Sequence, residues 1–456
     1  MILPSKIYFL GIGGIGMSAL ARYFNQRGVA IHGYDKYRSE LCIQLEEEGM
    51  HIHYTEDISL IPLDCELIVR TPAIPINSIE YNFILSHFKN IKKRSQVLGE
   101  IVSAHRSIAV AGTHGKTSTS AMITFLLEQS GIPVTAFLGG VLSNYNSNFI
   151  DSGDEWMIAE ADEFDRSFLQ LYPDIAVINS LDADHLDIYG SREEMVRSYL
   201  LFASQIKENG TLLLSHHISE SEVEMFINAV KPSVEVIQFG GEDNEVFSRI
   251  VKSENARVTF DYCDKSFFIY NLEMDFPGTH NVENATAGIY IAKMLGVSSD
   301  SIKISLSKFR GIKRRFEKIF DNGRFIVIDD YAHHPTELKA AIDTAKSNFQ
   351  GKKILGVFQP HLYSRTQLFF NEFAHELSQL DSVILLDIYP AREVAIPGVN
   401  SSMIIEKMLD IPKQLCVLDN LIEEIRKMNF DVILVLGAGD IDTKLGDIVD
   451  YLKSIK

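Results

Sequence analysis

Cysteine is scarce in this chain: four residues in 456, Cys42, Cys65, Cys263 and Cys416, all far apart. That spacing excludes a dense disulfide framework and a cysteine zinc site, and it fits a reducing, cytoplasmic setting. Basic residues are also short, 43 against 61 acidic ones, for a formal net charge of -18. Such a surface disfavours unspecific binding to nucleic acid or anionic membranes, so any anionic substrate must meet local positive groups. Long apolar runs are missing too. The uncharged run Ile7 to Ala21 is short for a membrane span and rich in glycine, and no small-residue cleavage site follows a basic start. The sequence predicts no export signal, no anchor, no internal repeat and no low-complexity tract.

What remains is an ordinary globular composition, 46% hydrophobic and 23% charged, in a chain too long for one core. Short apolar strands alternate with helical stretches throughout, which predicts three α/β domains. Ile7–Leu10, a helix over Met17–Gln26 and Ala30–Tyr34 open a βαβ unit, continued by Leu67–Arg70 and a helix over Gln96–Ser103. The first domain is expected over residues 1–105 and is Rossmann-like. A central domain, 106–310, is expected to hold a mostly parallel sheet with strands at Trp156–Ala159 and Ile175–Asn179, helices at Arg192–Ile206 and Asn284–Met294, and a small antiparallel insert at 233–276. The third, 311–456, is Rossmann-like α/β with strands at Phe325–Ile328, Ile354–Phe358, Val383–Leu386 and Val432–Leu436.

Two glycine turns carry most of the chemistry. Gly112-Thr113-His114-Gly115-Lys116-Thr117-Ser118 follows an apolar strand and opens a helix. Turn glycines let backbone N–H groups face phosphate oxygens, the helix start adds partial positive charge, Lys116 neutralises the outer phosphates and Thr117 can ligate magnesium. Val110 stands where a common P-loop has its first glycine, so the loop is shorter. The second turn, Gly11-Ile12-Gly13-Gly14-Ile15-Gly16, also lies between strand and helix and is trailed by Asp35 at the end of the next strand. On pattern alone it reads as a dinucleotide or nucleotide-diphosphate site. An NAD-dependent oxidoreductase would explain it but leaves the Lys116 loop idle; a switch or scaffold ATPase would use only the Lys116 loop.

The Gly112–Thr117 segment resembles the ATP loop of the Mur ligases, the amino-acid-adding enzymes of peptidoglycan synthesis. Further segments of that family recur in the same order: Glu160–Asp165, Asp182–Asp187, Gly278–Ala285, Arg314–Glu317, Asp329–Glu337 and Gln359–Thr366. Together they span the chain, and the His333-His334-Pro335 and His361 segments are most similar to the alanine-adding branch. The resemblance implies ATP-dependent ligation of L-alanine to the lactyl carboxylate of UDP-N-acetylmuramate, through an acyl phosphate. A sister ligase that attaches a preformed peptide during cell-wall recycling shares nearly the same motifs.

By this resemblance Gly11, Gly13, Gly14, Ile15, Gly16 and Asp35 hold the UDP-sugar. Gly112, Thr113, His114, Gly115, Lys116, Thr117 and Ser118 hold ATP, with Asn281 and Asn284 at adenine and ribose and Arg315 and Asp330 closing from the third domain. Thr117 is implied as a ligand of the Mg2+ that bridges the β- and γ-phosphates, and Glu160 and His185 as ligands of a second Mg2+ near the acyl oxygen; read alone, a histidine among aspartates is more often a hydrogen-bonded loop residue. Asp162, Asp165, Asp184 and Asp187 are either outer-shell groups or merely solvated. Some relatives carry a carboxylated lysine after the His-x-Asp element, and Asp187 to Phe202 here contains no lysine. Arg365 is the expected clamp for the alanine carboxylate, with Tyr331, His333, His334 and His361 positioning or deprotonating its amine. Many relatives have an arginine directly after the His361 position. Here it is Leu362, and Arg392 is the expected compensation.

Overall fold

The computed structural model describes residues 3–182, 186–254, 257–391 and 393–455, with residues 186 and 187 by backbone alone. The chain divides into two compact units, Met1–Arg249 with Tyr262–Tyr270 and Glu283–Phe309, and Ile250–Asp261 with Asn271–Val282 and Arg310–Lys456.

The first unit opens with a five-stranded sheet of β1 (Lys6–Leu10), β2 (Ala30–Tyr34), β3 (His51–His53), β4 (Leu67–Arg70) and β5 (Ile91–Lys93), in the order β3-β2-β1-β4-β5. Every pairing is parallel. The strand order reverses at β1, the crevice where open α/β sheets bind ligands, and the first glycine turn follows β1 directly.

A second sheet is built around β6 (Arg106–Ala111), with β7 (Val134–Leu142), β8 (Ser147–Asp151), β9 (Trp156–Glu160), β10 (Ile175–Ile178), β11 (Thr211–Ser215) and β12 (Glu235–Gly240). It continues through β13 (Val246–Glu254), β14 (Arg257–Asp264) and β15 (Phe267–Met274), in the order β15-β14-β13-β12-β11-β10-β6-β9-β7-β8. β6 lies centrally between β10 and β9, and its residues Ile108–Ala111 are fully buried, as a parallel strand covered on both faces must be. The antiparallel insert expected at 233–276 is only partly antiparallel. β12 pairs parallel with β11 and with β13, whereas β14 and β15 meet across a two-residue turn, the connection of an antiparallel hairpin. At the opposite edge the antiparallel pair β7–β8 was not anticipated.

One apolar cluster runs from Ile7 and Phe9 of β1 through Ala109 and Ala111 of β6 to Leu212 and Leu214 of β11. Burial of each large side chain in it, such as Phe24 or Phe168, contributes about 1.5–3 kcal/mol. Polar ties add direction to that packing. Asn148 of β8, fully buried, donates to Ile15 O at 2.5 Å and Ser18 Oγ at 3.0 Å in the first turn of helix Ile15–Gln26, and accepts from Arg22 Nη1 at 2.5 Å. Arg27, at the opposite end of that helix, pairs with Asp151 and Asp154.

The second unit contains the third sheet: β16 (Glu317–Asp321), β17 (Ile326–Asp330), β18 (Ile354–Phe358), β19 (Ser382–Leu386), β20 (Lys413–Cys416) and β21 (Val432–Leu436), ordered β16-β17-β21-β18-β19-β20. Only β16 is antiparallel to its neighbour. The β-branched runs Ile326–Ile328 and Val432–Leu436 are buried between two apolar clusters, one on each face. Among the described residues no helix is long and apolar enough to cross a membrane.

Candidate active site

Five helices in this protein begin with a serine cap: Ser39, Ser78, Ser191, Ser219 and Ser298 each accept a backbone N–H of their own helix. The two helices that follow the glycine turns do not. Helix Ile15–Gln26 starts at Gly14 and helix Lys116–Gln129 at Gly115, and neither has a side-chain hydrogen bond at its cap. Their first-turn N–H groups therefore keep their capacity for an anion, which is what the two turns were expected to offer.

The second turn is shaped by its neighbours. Gly112 has φ +127° and Gly115 φ +79°, where side chains are strained. A Cβ on Gly112 would lie 2.9 Å from the backbone nitrogens of Asn179 and Ser180. Those two residues, just beyond β10, grip the loop: Ser180 Oγ is 2.8 Å from Thr113 Oγ1 and accepts from His114 N at 2.9 Å, and Asn179 Nδ2 donates to Thr119 Oγ1 at 2.9 Å. Thr119 in turn donates to Asn284 Oδ1 at 3.0 Å. Asn284 thus braces the loop from behind, while Asn281 is buried with its Nδ2 on Pro277 O at 2.7 Å, fastening the start of helix Thr279–Met294.

Lys116 Nζ donates to Gly112 O at 2.6 Å and to Glu163 Oε1 at 2.9 Å. Burial alone would favour loss of its proton, but the charges of Glu163 and Glu160 outweigh that and raise its pKa. Thr117 Oγ1 donates to Glu160 Oε2 at 2.9 Å, and the same carboxylate oxygen accepts from Gly139 N at 2.9 Å. Two oxygen ligands side by side in a magnesium octahedron are also about 2.9 Å apart, so this hydroxyl–carboxylate pair suits a small hard cation. His185, Asp184 and Arg392 lie outside the described residues, as does the Asp187 side chain.

At the first turn, Gly11 takes φ +90° against Thr71, and the Asp35 carboxylate points into the loop, accepting from Gly13 N at 2.7 Å. The Arg94 guanidinium lies against Gly16, where a Cβ would come within 2.8 Å of Nη1, and pairs with Asp162 at 3.0 Å. Lys93 pairs with Asp165 at 2.6 Å. The acidic Glu160–Asp165 segment is thereby joined to the first sheet.

In the second unit, the carboxyl ends of the strands gather another set. His334 caps helix Pro335–Asn348, with Pro335 at its first turn and Glu337 closing the capping box. Its ring packs on Phe369. Glu337 also approaches His333 Nδ1, at 3.2 Å, and Arg315 Nη1, at 3.6 Å. Burial pushes the His333 pKa down, and its Nδ1 lies 2.9 Å from the Tyr331 carbonyl. A carbonyl only accepts, so Nδ1 carries the hydrogen and Nε2 keeps a lone pair. The His333 ring meets those of Tyr331 and His361, and Arg365 Nη1 is 3.5 Å from His361 Nδ1. Asp330 accepts from Phe316 N and Ala332 N, and burial pushes it up to about 6. Leu362, where an arginine was expected, is held at φ +72° by the loop that opens helix Tyr363–Leu377.

Comparison with known proteins matches three family models along the chain: a Mur ligase family catalytic domain at residues 6–106, a Mur ligase middle domain at 110–292 and a Mur ligase glutamate ligase domain at 314–439. The UDP-N-acetylmuramate--L-alanine ligase of Cytophaga hutchinsonii is 44% identical over 96% of this chain and 94% of its own. That of Porphyromonas gingivalis W83 is 41% identical over 99% of both. The chain belongs to the Mur ligase family. The crystal structure of the UDP-N-acetylmuramate-alanine ligase of Thermotoga maritima superposes with a TM-score of 0.83 at 27% identity, covering 99% of this chain and 100% of the other. A murein peptide ligase of Psychrobacter arcticus shares the fold, with a TM-score of 0.71 at 22% identity over 99% of both chains.

In this Mur ligase, Asn179, Ser180, Glu163 and Gly139 shape the site without having been singled out in the sequence. Asn179 and Ser180 carried a signal, two small polar residues ending an apolar strand ahead of the His-x-Asp element. Gly139 carried none, since its role depends on β7 lying beside β9.

Proposed function

We propose that this ligase joins L-alanine to the lactyl carboxylate of UDP-N-acetylmuramate at the expense of ATP, for peptidoglycan precursor synthesis. The observation that carries the reading is the pair of uncapped glycine-turn helices in one compact unit, only one of them served by Lys116, Thr117 and Glu160. One turn suits a triphosphate with its cation and the other a nucleotide diphosphate.

Joining a carboxylate to an amine in water is uphill. The lactyl carboxylate attacks the γ-phosphorus of ATP, the bond to the bridging oxygen breaks and ADP leaves. The amine then attacks the acyl phosphate carbon, inorganic phosphate leaves and the amine proton passes to a base. A magnesium ion held by Thr117 and Glu160 would supply charge neutralisation for phosphates approached by an anion. Lys116 adds a fixed positive charge, and the loop N–H groups bind without reorganising. Arg365 holds the α-carboxylate of alanine, and the His333 Nε2 lone pair accepts the proton.

The test is phosphate release with UDP-N-acetylmuramate present, measured against a panel of acceptors. Stimulation by L-alanine and transfer of labelled oxygen from the lactyl carboxylate into inorganic phosphate are expected. Stimulation by a tripeptide alone would assign the chain to the recycling reaction instead, and unlabelled phosphate would remove the acyl phosphate.

A further inference from the structure

A second group of side chains converges at the end of β11, with His217 in reach of the charge of Asp182, which itself pairs with His114 of the phosphate loop at 3.3 Å. β11 ends at Ser215 and runs directly into His216 and His217, and the second turn of helix Thr279–Met294 contributes Glu283. His216 Nε2 lies 3.1 Å from Glu283 Oε1, and His217 Nε2 lies 2.9 Å from Glu283 Oε2. One potential ligand atom from each residue falls within 4.8 Å of the others, and the two imidazole centroids are 4.0 Å apart.

The surroundings are cut to fit these rings. A Cβ on Gly240 would come within 2.5 Å of His216 Cδ2, and one on Gly241 within 3.1 Å of His216 Nδ1. Two glycines in succession thus clear the space that His216 fills. His217 is more than half exposed, which gives a solute access to the group.

We propose that His216, His217 and Glu283 form a binding site for a zinc-class divalent ion. Tetrahedral zinc with nitrogen and oxygen ligands at about 2.0–2.2 Å has ligand-to-ligand edges of roughly 3.3 Å. The observed nitrogen–oxygen edges, 3.1 and 2.9 Å, end on the two different oxygens of Glu283, and one donor atom from each residue falls within 4.8 Å of the others, so the side chains must rotate inward to close three donors on one ion. Two imidazoles with one carboxylate favour zinc, cobalt or nickel over magnesium, which prefers oxygen alone. The site is chemically separate from the Thr117–Glu160 pair, and water fills the remaining coordination position. Occupancy ties the end of β11 to the helix turn next to Asn284, the residue that braces the phosphate loop through Thr119.

The experiment uses the full chain, stripped with a chelator and kept in excess Mg2+ without nucleotide. Titration with Co2+ is expected to give the intense visible absorption of a four- or five-coordinate ion, saturating at one equivalent and displaced by Zn2+. Zn2+ should also shield His216 and His217 from diethylpyrocarbonate, read by mass spectrometry on the unaltered protein, and raise the melting temperature. His217→Asn and Glu283→Gln should each weaken Co2+ binding about tenfold or more. A spectrum that stays that of hydrated Co2+ through several equivalents would overturn the site. So would undiminished modification of both histidines under Zn2+, or an absorption band unchanged in both variants. None of these readouts requires ligase activity, so the metal site and the proposed reaction stand or fall separately.

Discussion

Lys116 Nζ lies 2.8 Å from Glu163 Oε2 in a pair whose side chains are 13% and 2% exposed. The charge expected to meet the outer phosphates of ATP is thus held by a buried carboxylate and by the carbonyl oxygens of its own loop.

Removing one member of this pair leaves the other uncompensated. Lys116→Met should abolish phosphate release, leave UDP-sugar binding intact and destabilise the first unit by about 3–5 kcal/mol, because Glu163 remains buried without its partner. Adding Glu163→Gln should recover most of that stability and none of the activity. Calorimetry with a phosphate assay checks both. Loss of UDP-sugar binding in the double variant would mean that the two glycine turns are wrongly assigned.

Thr117 and Glu160 share one hydrogen bond now and one cation in the proposed reaction. Thr117→Val, which keeps the shape and removes the hydroxyl, should raise the Mg2+ concentration for half-maximal rate by about tenfold or more, and Thr117→Ser should behave like the parent. An unchanged magnesium titration in Thr117→Val would take this hydroxyl out of the metal shell.

Arg365 is a specificity residue on this reading. A charge-assisted hydrogen bond contributes about 1.5–3 kcal/mol, so Arg365→Ala should raise KM for L-alanine by roughly ten- to a hundredfold and leave KM for ATP nearly unchanged. Steady-state kinetics with each substrate varied in turn would show it. Equal rises in both constants would place the guanidinium elsewhere in the reaction.

Asp329 gives the second unit a pH dependence. Burial pushes its carboxyl up to about 7, with Arg314, 3.3 Å away, acting in the opposite direction. The native state therefore binds this proton more tightly than the unfolded chain, whose carboxyl titrates near 4. The stabilisation is complete below about pH 4 and is lost as pH rises through about 7, by roughly 4 kcal/mol at most. Asp329→Asn should remove that decline, so its stability relative to the parent rises between pH 5 and pH 8. Denaturation at both pH values measures the difference, and a parallel pair of profiles would refute it.

Much of this architecture was legible because β-branched runs and glycine turns are local signals. Ala30–Tyr34, Leu67–Arg70, Ile354–Phe358 and Val432–Leu436 are strands with the residue limits expected from sequence. The β7–β8 hairpin was not legible. Gly139 and Gly140 interrupt its first strand, and its pairing slips between Phe137 and Leu142, so no clean alternation marks it. The insert misled for another reason: β-branched and aromatic residues indicate strands but not their direction, and β12 joined the parallel side. In the candidate site, Thr117 Oγ1 donates to Glu160, a residue that only the family resemblance, and not its own chemistry, had marked as a ligand of a second ion. Asp35 shows what chemistry alone leaves open, since a carboxylate placed for a ribose serves equally to cap its own loop. His334 was anticipated as an amine-positioning group, and the Pro335–Glu337 pattern that follows it encodes the cap it forms.

Asn148 has a consequence that reaches past stability. By clasping the first turn of helix Ile15–Gln26 from the edge of the sheet that carries Lys116, it makes one rigid gauge of the two glycine turns. Ligands seated on them would not have to search for each other, since the interval between them is built into the chain before either arrives.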